Sequence, residues 1–257
     1  MHKTFRLFFL FFSISSFSQK PNLNDWKKTD LPLDNNIFDA GDSKEHWTFE
    51  KIGTEWNIIQ MKFNKNSENK LELPWEKIYK KNIAINSYNR KVKKIGNEYI
   101  VGVNNGEFGG SLFVISKNGE EITELNCCMR VQEIFQFNNK IFVTEMSYNF
   151  GSSRGAIFEI KKEKDWIYKE ISKIEGIPIF TVEHNRNKLI ITDKHILKLD
   201  SKNEITTILT SHFYWGMLYP SNALIDGNDI YLSMRKGILR IISFENNPRY
   251  EWYIPKK

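Results

Sequence analysis

Few side chains in this sequence are of the types that do chemistry, and they are irregularly spaced. Aligning the chain on a turn that recurs along it puts Glu145 and Asp193 at matching strand ends. Two converging carboxylates of that kind would bind calcium or activate a water, and His184 would then serve as the base of a metal-assisted hydrolase or lyase. The matching positions in the neighbouring repeats are Val103 and Met234, so the set of oxygen ligands is incomplete. His184, His195 and His212 fit no zinc spacing, and there is no His-Glu-x-x-His, no Gly-x-Ser-x-Gly and no phosphate-cradling glycine loop.

Binding chemistry is better represented. In "NNGEFGG" (104–110) glycines flank Glu107 and Phe108, and their conformational freedom would present both side chains to a ligand or simply make a wide hairpin loop. In "SHFYWGMLYPSN" (211–222) Trp215 and Tyr219 stand near Asn222, with Arg235 further on. Aromatic faces with amide and guanidinium groups suit a sugar ring or a peptide, and the same aromatics would equally serve as core. Cys127 and Cys128 are adjacent. Their Cα atoms, about 3.8 Å apart, lie below the usual disulfide minimum of about 4.4 Å, so the alternatives are a strained vicinal disulfide and two thiols filling a gap.

The elements that must position these residues repeat. The turn and the strand after it recur as "GTEWNIIQ" at 53, "GNEYIVGV" at 96, "NNKIFVTE" at 138, "RNKLIITD" at 186 and "GNDIYLSM" at 227, at intervals of 43, 42, 48 and 41 residues. Gly and Asn accept the positive φ of tight hairpins, so each copy marks a strand reversal. The strand that follows is apolar on both alternating faces, which requires cover on both sides. Four short strands per unit, packed face to face around an axis, meet that requirement. The fold expected is all-β: a β-propeller of five or six four-stranded blades, with a sandwich or irregular solenoid as the alternative. The first repeat is degraded, since "NKNSENKLELPWEKIYKKN" (64–82) lacks the second-strand motif. Residues 45–257 form the propeller domain, and 19–44 either cap the ring or donate a strand that closes it.

"NNGEFGGSLFVIS" (104–116) and "WGMLYPSNALIDGNDIYLSMRKGILRI" (215–241) resemble segments of exported bacterial propeller proteins without an assigned activity. The resemblance runs over roughly residues 89–245 and implies the fold rather than a reaction.

The N-terminus bounds the compartment. "MHKTFR" is basic, the run Leu7 to Phe17 is apolar, and Ser16 and Ser18 are small residues at cleavage spacing, so residues 1–18 read as a signal peptide leaving Gln19 first. Eleven residues are too few to span a bilayer comfortably, and nothing later reaches the roughly 18 apolar residues a transmembrane helix needs. Cleavage takes Lys3 and Arg6 from the 37 basic residues, leaving 35 against 31 acidic ones. These are scattered among Asn and Glu, which argues against a nucleic-acid track. The function expected is an exported, periplasmic or secreted, monomeric binding or scaffold propeller without catalytic activity. It would need no cofactor and would engage a peptide, glycan or protein partner in the envelope. The metal-assisted enzyme, with calcium, is the alternative.

Overall fold

The recurring turns each join two antiparallel strands in the computed structural model, which describes residues 20–61, 73–85, 89–149 and 152–256. The segment read as a signal peptide lies outside the described residues. Strand β1 (Trp26–Thr29) and helix α1 (Asn36–Gly41) precede a hairpin of β2 (Trp47–Ile52) and β3 (Glu55–Gln60), and helix α2 (Trp75–Lys81) follows. Four antiparallel sheets come next, each with its strands in sequence order. The first holds β4 (Arg90–Ile95), β5 (Glu98–Asn104), β6 (Gly110–Ser116) and β7 (Ile122–Asn126). The second holds β8 (Val131–Phe137), β9 (Lys140–Asn149), β10 (Ser152–Lys162) and β11 (Trp166–Glu175). The third comprises β12 (Pro178–His184), β13 (Asn187–Thr192), β14 (His195–Leu199) and β15 (Ile205–Thr210). The fourth comprises β16 (Asn222–Asp226), β17 (Asp229–Ser233), β18 (Ile238–Ile242) and β19 (Arg249–Pro255).

The leading strands abut one another: β8 packs on β4, β12 on β8, β16 on β12 and β2 on β16. First strands therefore line the inside and last strands the outside, a radial, propeller-type array. The apolar clusters confirm it, because they lie between sheets. Ile100 and Leu112 of the first sheet meet Ile134 and Val143 of the second. Phe142 and Ile157 of the second meet Ile190 and Leu197 of the third, and Leu189 and Ile191 of the third meet Ile225 and Ile230 of the fourth. Both faces of β5 are buried for this reason, and each such side chain contributes about 1.5–3 kcal/mol on leaving water. The approach of neighbouring sheets is close enough to exclude a side chain at Gly102, where a Cβ would lie 2.3 Å from Val131 Cγ1.

The first repeat departs from the four-strand unit among the described residues. After β3 comes α2, "WEKIYKK", which has no turn residues, carries Glu76 in its first turn and Lys80 and Lys81 in its last, and so suits the helix dipole. Together with Leu73 and Ile85, α2 buries Ile78 against Tyr99, Val101 and Phe113, covering the face of the first sheet that a neighbouring sheet would otherwise occupy. At the other end of the array β1 pairs antiparallel with β19, giving the fourth sheet a fifth strand. Trp26 of β1 meets Trp47 of β2 edge to face at 5.0 Å, and both contribute to the cluster of Phe49, Leu224 and Tyr231.

Candidate functional site

Successive hairpins of an up-and-down sheet alternate between its two ends. The turns joining first to second strands lie at one end; the turns joining second to third strands, and the connectors between sheets, lie at the other. Glu107, Phe108, Cys127, Cys128, Glu145, Asp193, Trp215, Tyr219, Asn222 and Arg235 all fall at this second, connector end. His184 closes β12 at the opposite end. Ile177, immediately before β12, bonds Asp193, so the strand separates His184 from Asp193 by roughly 20 Å at about 3.3 Å per residue. His184 is thus no base for those carboxylates. It sits edge-on to Phe244, 3.8 Å from Glu245, and its pKa is lowered by burial against the opposing pull of that carboxylate.

Hydrogen-bond register corrects the matching of Glu145 with Asp193. The N–H of Met61, Asn104, Met146 and Asp193 donates to the carbonyl of His46, Asn89, Arg130 and Ile177, respectively, each the residue just before a first strand. Asp193 is equivalent to Met146, whereas Glu145, paired with Val131, is equivalent to Thr192, paired with Pro178. A slip of one residue moves a side chain to the other face of its sheet: Glu145 shares the face of Val131, toward the first sheet, whereas Asp193 is bonded to the connector into the fourth, so the two carboxylates do not converge. Among the described residues no group of three or more His, Cys, Asp or Glu side chains is placed to hold a metal ion.

Each candidate has a local setting. Asp193 is buried and structural: Oδ1 accepts the Ile177 N–H at 2.9 Å, Tyr214 donates its hydroxyl to Oδ2 at 3.1 Å, and the Gly216 N–H donates to the Asp193 carbonyl at 2.9 Å. Gly176, at φ 78°, brings backbone against that carboxylate where a Cβ would lie 2.3 Å from Oδ1. Trp215 is 0% exposed, and its indole N–H donates to the Thr192 carbonyl at 2.6 Å. That corrects its reading as a ligand platform: the aromatic connector turns Trp215 inward and Tyr219 outward. Tyr219 adopts the left-handed conformation at φ 52°, with Arg235 stacked 3.8 Å from its ring centre. Arg235 also donates to the Gly41 carbonyl at 2.6 Å, and His46 Nε2 donates to the Tyr219 carbonyl at 2.8 Å. Burial, with Arg235 nearby, holds the His46 pKa down. Asn222 caps the start of β16, accepting the Ala223 N–H at 2.8 Å.

On the first sheet the loop bearing Glu107 and Phe108 forms a short 3₁₀ turn, held because Arg130 Nε donates to the Gly106 carbonyl at 2.7 Å. The same guanidinium partly offsets the burial that raises the Glu145 pKa. Cys127 and Cys128 are exposed free thiols with their sulfurs 3.3 Å apart, and that mutual hydrogen bond raises the Cys128 pKa.

Arg130 and His46 escaped sequence reasoning, although aligning repeats on the first strand rather than on the turn brings out a series of residues just before it: His46, Asn89, Arg130, Ile177 and Ser221. Glu133 escaped as well. It lies in "VQEIFQF" on the β8 face toward the third sheet, accepts the Thr181 hydroxyl at 3.1 Å, and has its pKa raised by burial.

No protein-family model matches the chain, and no curated protein matches it by sequence. Solved structures do. A virginiamycin B lyase from Staphylococcus aureus bound to quinupristin matches at 14% identity over 88% of this chain and 73% of that one, with a TM-score of 0.41. A streptogramin B lyase matches at 15% identity and TM-score 0.41 over 63% of this chain and 52% of that one, and a gluconolactonase from Xanthomonas campestris at 8% and 0.36 over 64% and 55%. The chain thus spans about half the length of the latter two. Similarity at this level carries neither residues nor reaction across.

Proposed function

We propose that this protein is an exported, monomeric binding propeller that holds a polypeptide partner against its connector end, with the β2–β3 hairpin as a reduced first blade of a five-bladed ring. One observation carries the reading: exposed aromatics gather at that end. Phe108 is 93% exposed, Phe38 of α1 55%, Tyr219 52% and Tyr214 42%. They come from the first sheet, the N-terminal cap and the connector into the fourth sheet, a spread that suits an extended polypeptide surface better than one small ligand. Aromatic and arginine side chains are the groups that dominate protein interfaces, and Arg235 already lies stacked on Tyr219. The protein acts by holding its partner rather than transforming it, a reading supported by the divergence of Glu145, Asp193 and His184.

Native mass spectrometry of the protein isolated from its own envelope fraction tests this. The wild type is expected to carry a peptide or protein at unit stoichiometry. Phe108→Ala and Tyr219→Ala are each expected to weaken that complex about 30-fold, the equivalent of about 2 kcal/mol per anchor. A bare wild type, or a double variant that keeps its passenger, would sink the reading.

A further inference from the structure

At the end opposite the connectors, the seam between the second and third sheets opens into a cleft of about 690 Å³. It is lined by the tips of two neighbouring hairpins, Asn138–Asn139 and Asn185–Arg186, and by Phe137 and His184. Gln136 and Asn187 add to the lining, so five carboxamides border one cleft. Asn185 Nδ2 lies 2.9 Å from His184 Nε2 and Asn187 Nδ2 donates to the Asn185 carbonyl at 3.1 Å, which leaves their amide oxygens and the other three groups to meet a ligand. A carboxamide is uncharged and offers two donors and an acceptor, the pattern that hydroxyl groups, each donor and acceptor, complement. The charged members of the lining are one anion, Glu183, and one cation, Arg186, with the partly buried His184 beside them, so no cluster of cations marks it as an anion site. The volume fits one or two pyranose rings, within the range of small-molecule sites.

The turns themselves provide an independent observation. The corresponding turns of the β2–β3 hairpin, the first sheet and the fourth sheet place Gly53, Gly96 and Gly227 at φ 65°, 58° and 59°, and the residue after each is not at positive φ. Only the two turns walling the cleft, among these five, hold both residues at positive φ and give both a side chain: Asn138 at 48°, Asn139 at 60°, Asn185 at 47° and Arg186 at 61°. Glycine would adopt these angles more readily, and Arg186 adopts a conformation that arginine disfavours. Turn geometry alone does not account for Gln136 and Asn187, which lie outside the positive-φ positions.

We propose that this cleft is a saccharide site, taking a neutral mono- or disaccharide unit. It is separate from the polypeptide-binding end and stands or falls independently of it. The source is either a free sugar or the exposed end of a glycan chain, which present the same hydroxyl pattern.

The test is amide-detected NMR titration of the full mature protein with glucose, galactose, N-acetylglucosamine, maltose and cellobiose, with glucuronate and a neutral tripeptide as comparators. Saturable shifts of the Asn138, Asn139 and Asn185 side-chain amides by at least one neutral sugar are expected. Asn138→Gly with Asn185→Gly keeps the turn conformation and is expected to weaken binding at least tenfold, while Phe108→Ala leaves it unchanged. Tighter binding of a matching oligosaccharide than of its monomer assigns the glycan source, and equal binding assigns the free sugar. No shift with any neutral sugar at tens of millimolar, equal binding by the double glycine variant, shifts confined to the connector end, or stronger binding of glucuronate or the tripeptide would overturn the proposal.

Discussion

Glu133 shows how one side chain can work against the fold that contains it. Its Oε1 accepts the Thr181 hydroxyl, and its buried Oε2 has no hydrogen-bond partner among the described residues. Burial raises the pKa, with Thr181, Lys188 and Lys91 only partly opposing it. A carboxyl whose pKa is higher folded than unfolded contributes its stability below the unfolded value, and that contribution is lost as pH rises through the folded one. Once ionised, the side chain is therefore a poorly compensated buried charge. Glu133→Gln retains the acceptor for Thr181 and removes that charge, so it is expected to raise Tm by about 2–4 °C at pH 7, for roughly 1 kcal/mol, and to change little near pH 4. A lower Tm for the variant at pH 7, read by calorimetry across pH, would refute this account. The two partly buried histidines have the opposite sign. Burial lowers the pKa of His46 and His184, so they favour folding above pH ~6.5 and withdraw that support as the pH falls.

At the scale of the element, the distance between neighbouring sheets is set by single positions. Gly102 in β5 lies against Val131 in β8, closer than any Cβ allows. Gly102→Ala must push the second sheet outward or distort β5, and overpacking of this kind costs about 1–3 kcal/mol. Shortening the opposing side chain should relieve it. The double variant Gly102→Ala, Val131→Ala is therefore expected to recover part of the loss, giving a negative interaction energy in a double-mutant cycle measured by urea unfolding. Strict additivity of the two substitutions would mean that the seam is not close-packed here. The hairpin tips obey the same local logic. Glycine serves where one turn residue needs positive φ, and where both do, asparagine, the other residue that accepts it readily, fills three of the four positions, with Arg186 the exception.

For the whole molecule, the decisive arrangement is the meeting of the two chain ends. β1 adds to the outer edge of β19, with Lys28 paired to Glu251 at 2.7 Å, and the same N-terminal stretch sends Trp26 and Leu23 into the cluster between β2 and the fourth sheet. Leu31 and Leu33 pack against the neighbouring cluster. Removing residues 20–35 would strip both clusters and leave β19 as an unpaired edge, a template for pairing with another chain. The truncated protein is expected to unfold well below the protein that keeps residues 20–35 and to associate with rising concentration in analytical ultracentrifugation. A monomer of unchanged Tm would show that the N-terminal segment is dispensable.

The period near 43 residues, the glycine and asparagine turns and the doubly apolar strands determined the all-β class, the four-stranded sheets and the order of strands within them, because these depend on local backbone preference and on side-chain alternation. Tertiary structure alone decided the rest. Glu145 and Asp193 looked equivalent by turn alignment and differ by one residue in hydrogen-bond register, which no local pattern reports and which reverses the face each side chain occupies. Trp215 and Tyr219 share one connector, yet one is core and the other surface, because only the packing of the third sheet against the fourth defines an inside there. The carboxamide cleft was equally invisible, since Asn138 and Asn185 are read from sequence as turn makers until two hairpins 47 positions apart become neighbours across a seam.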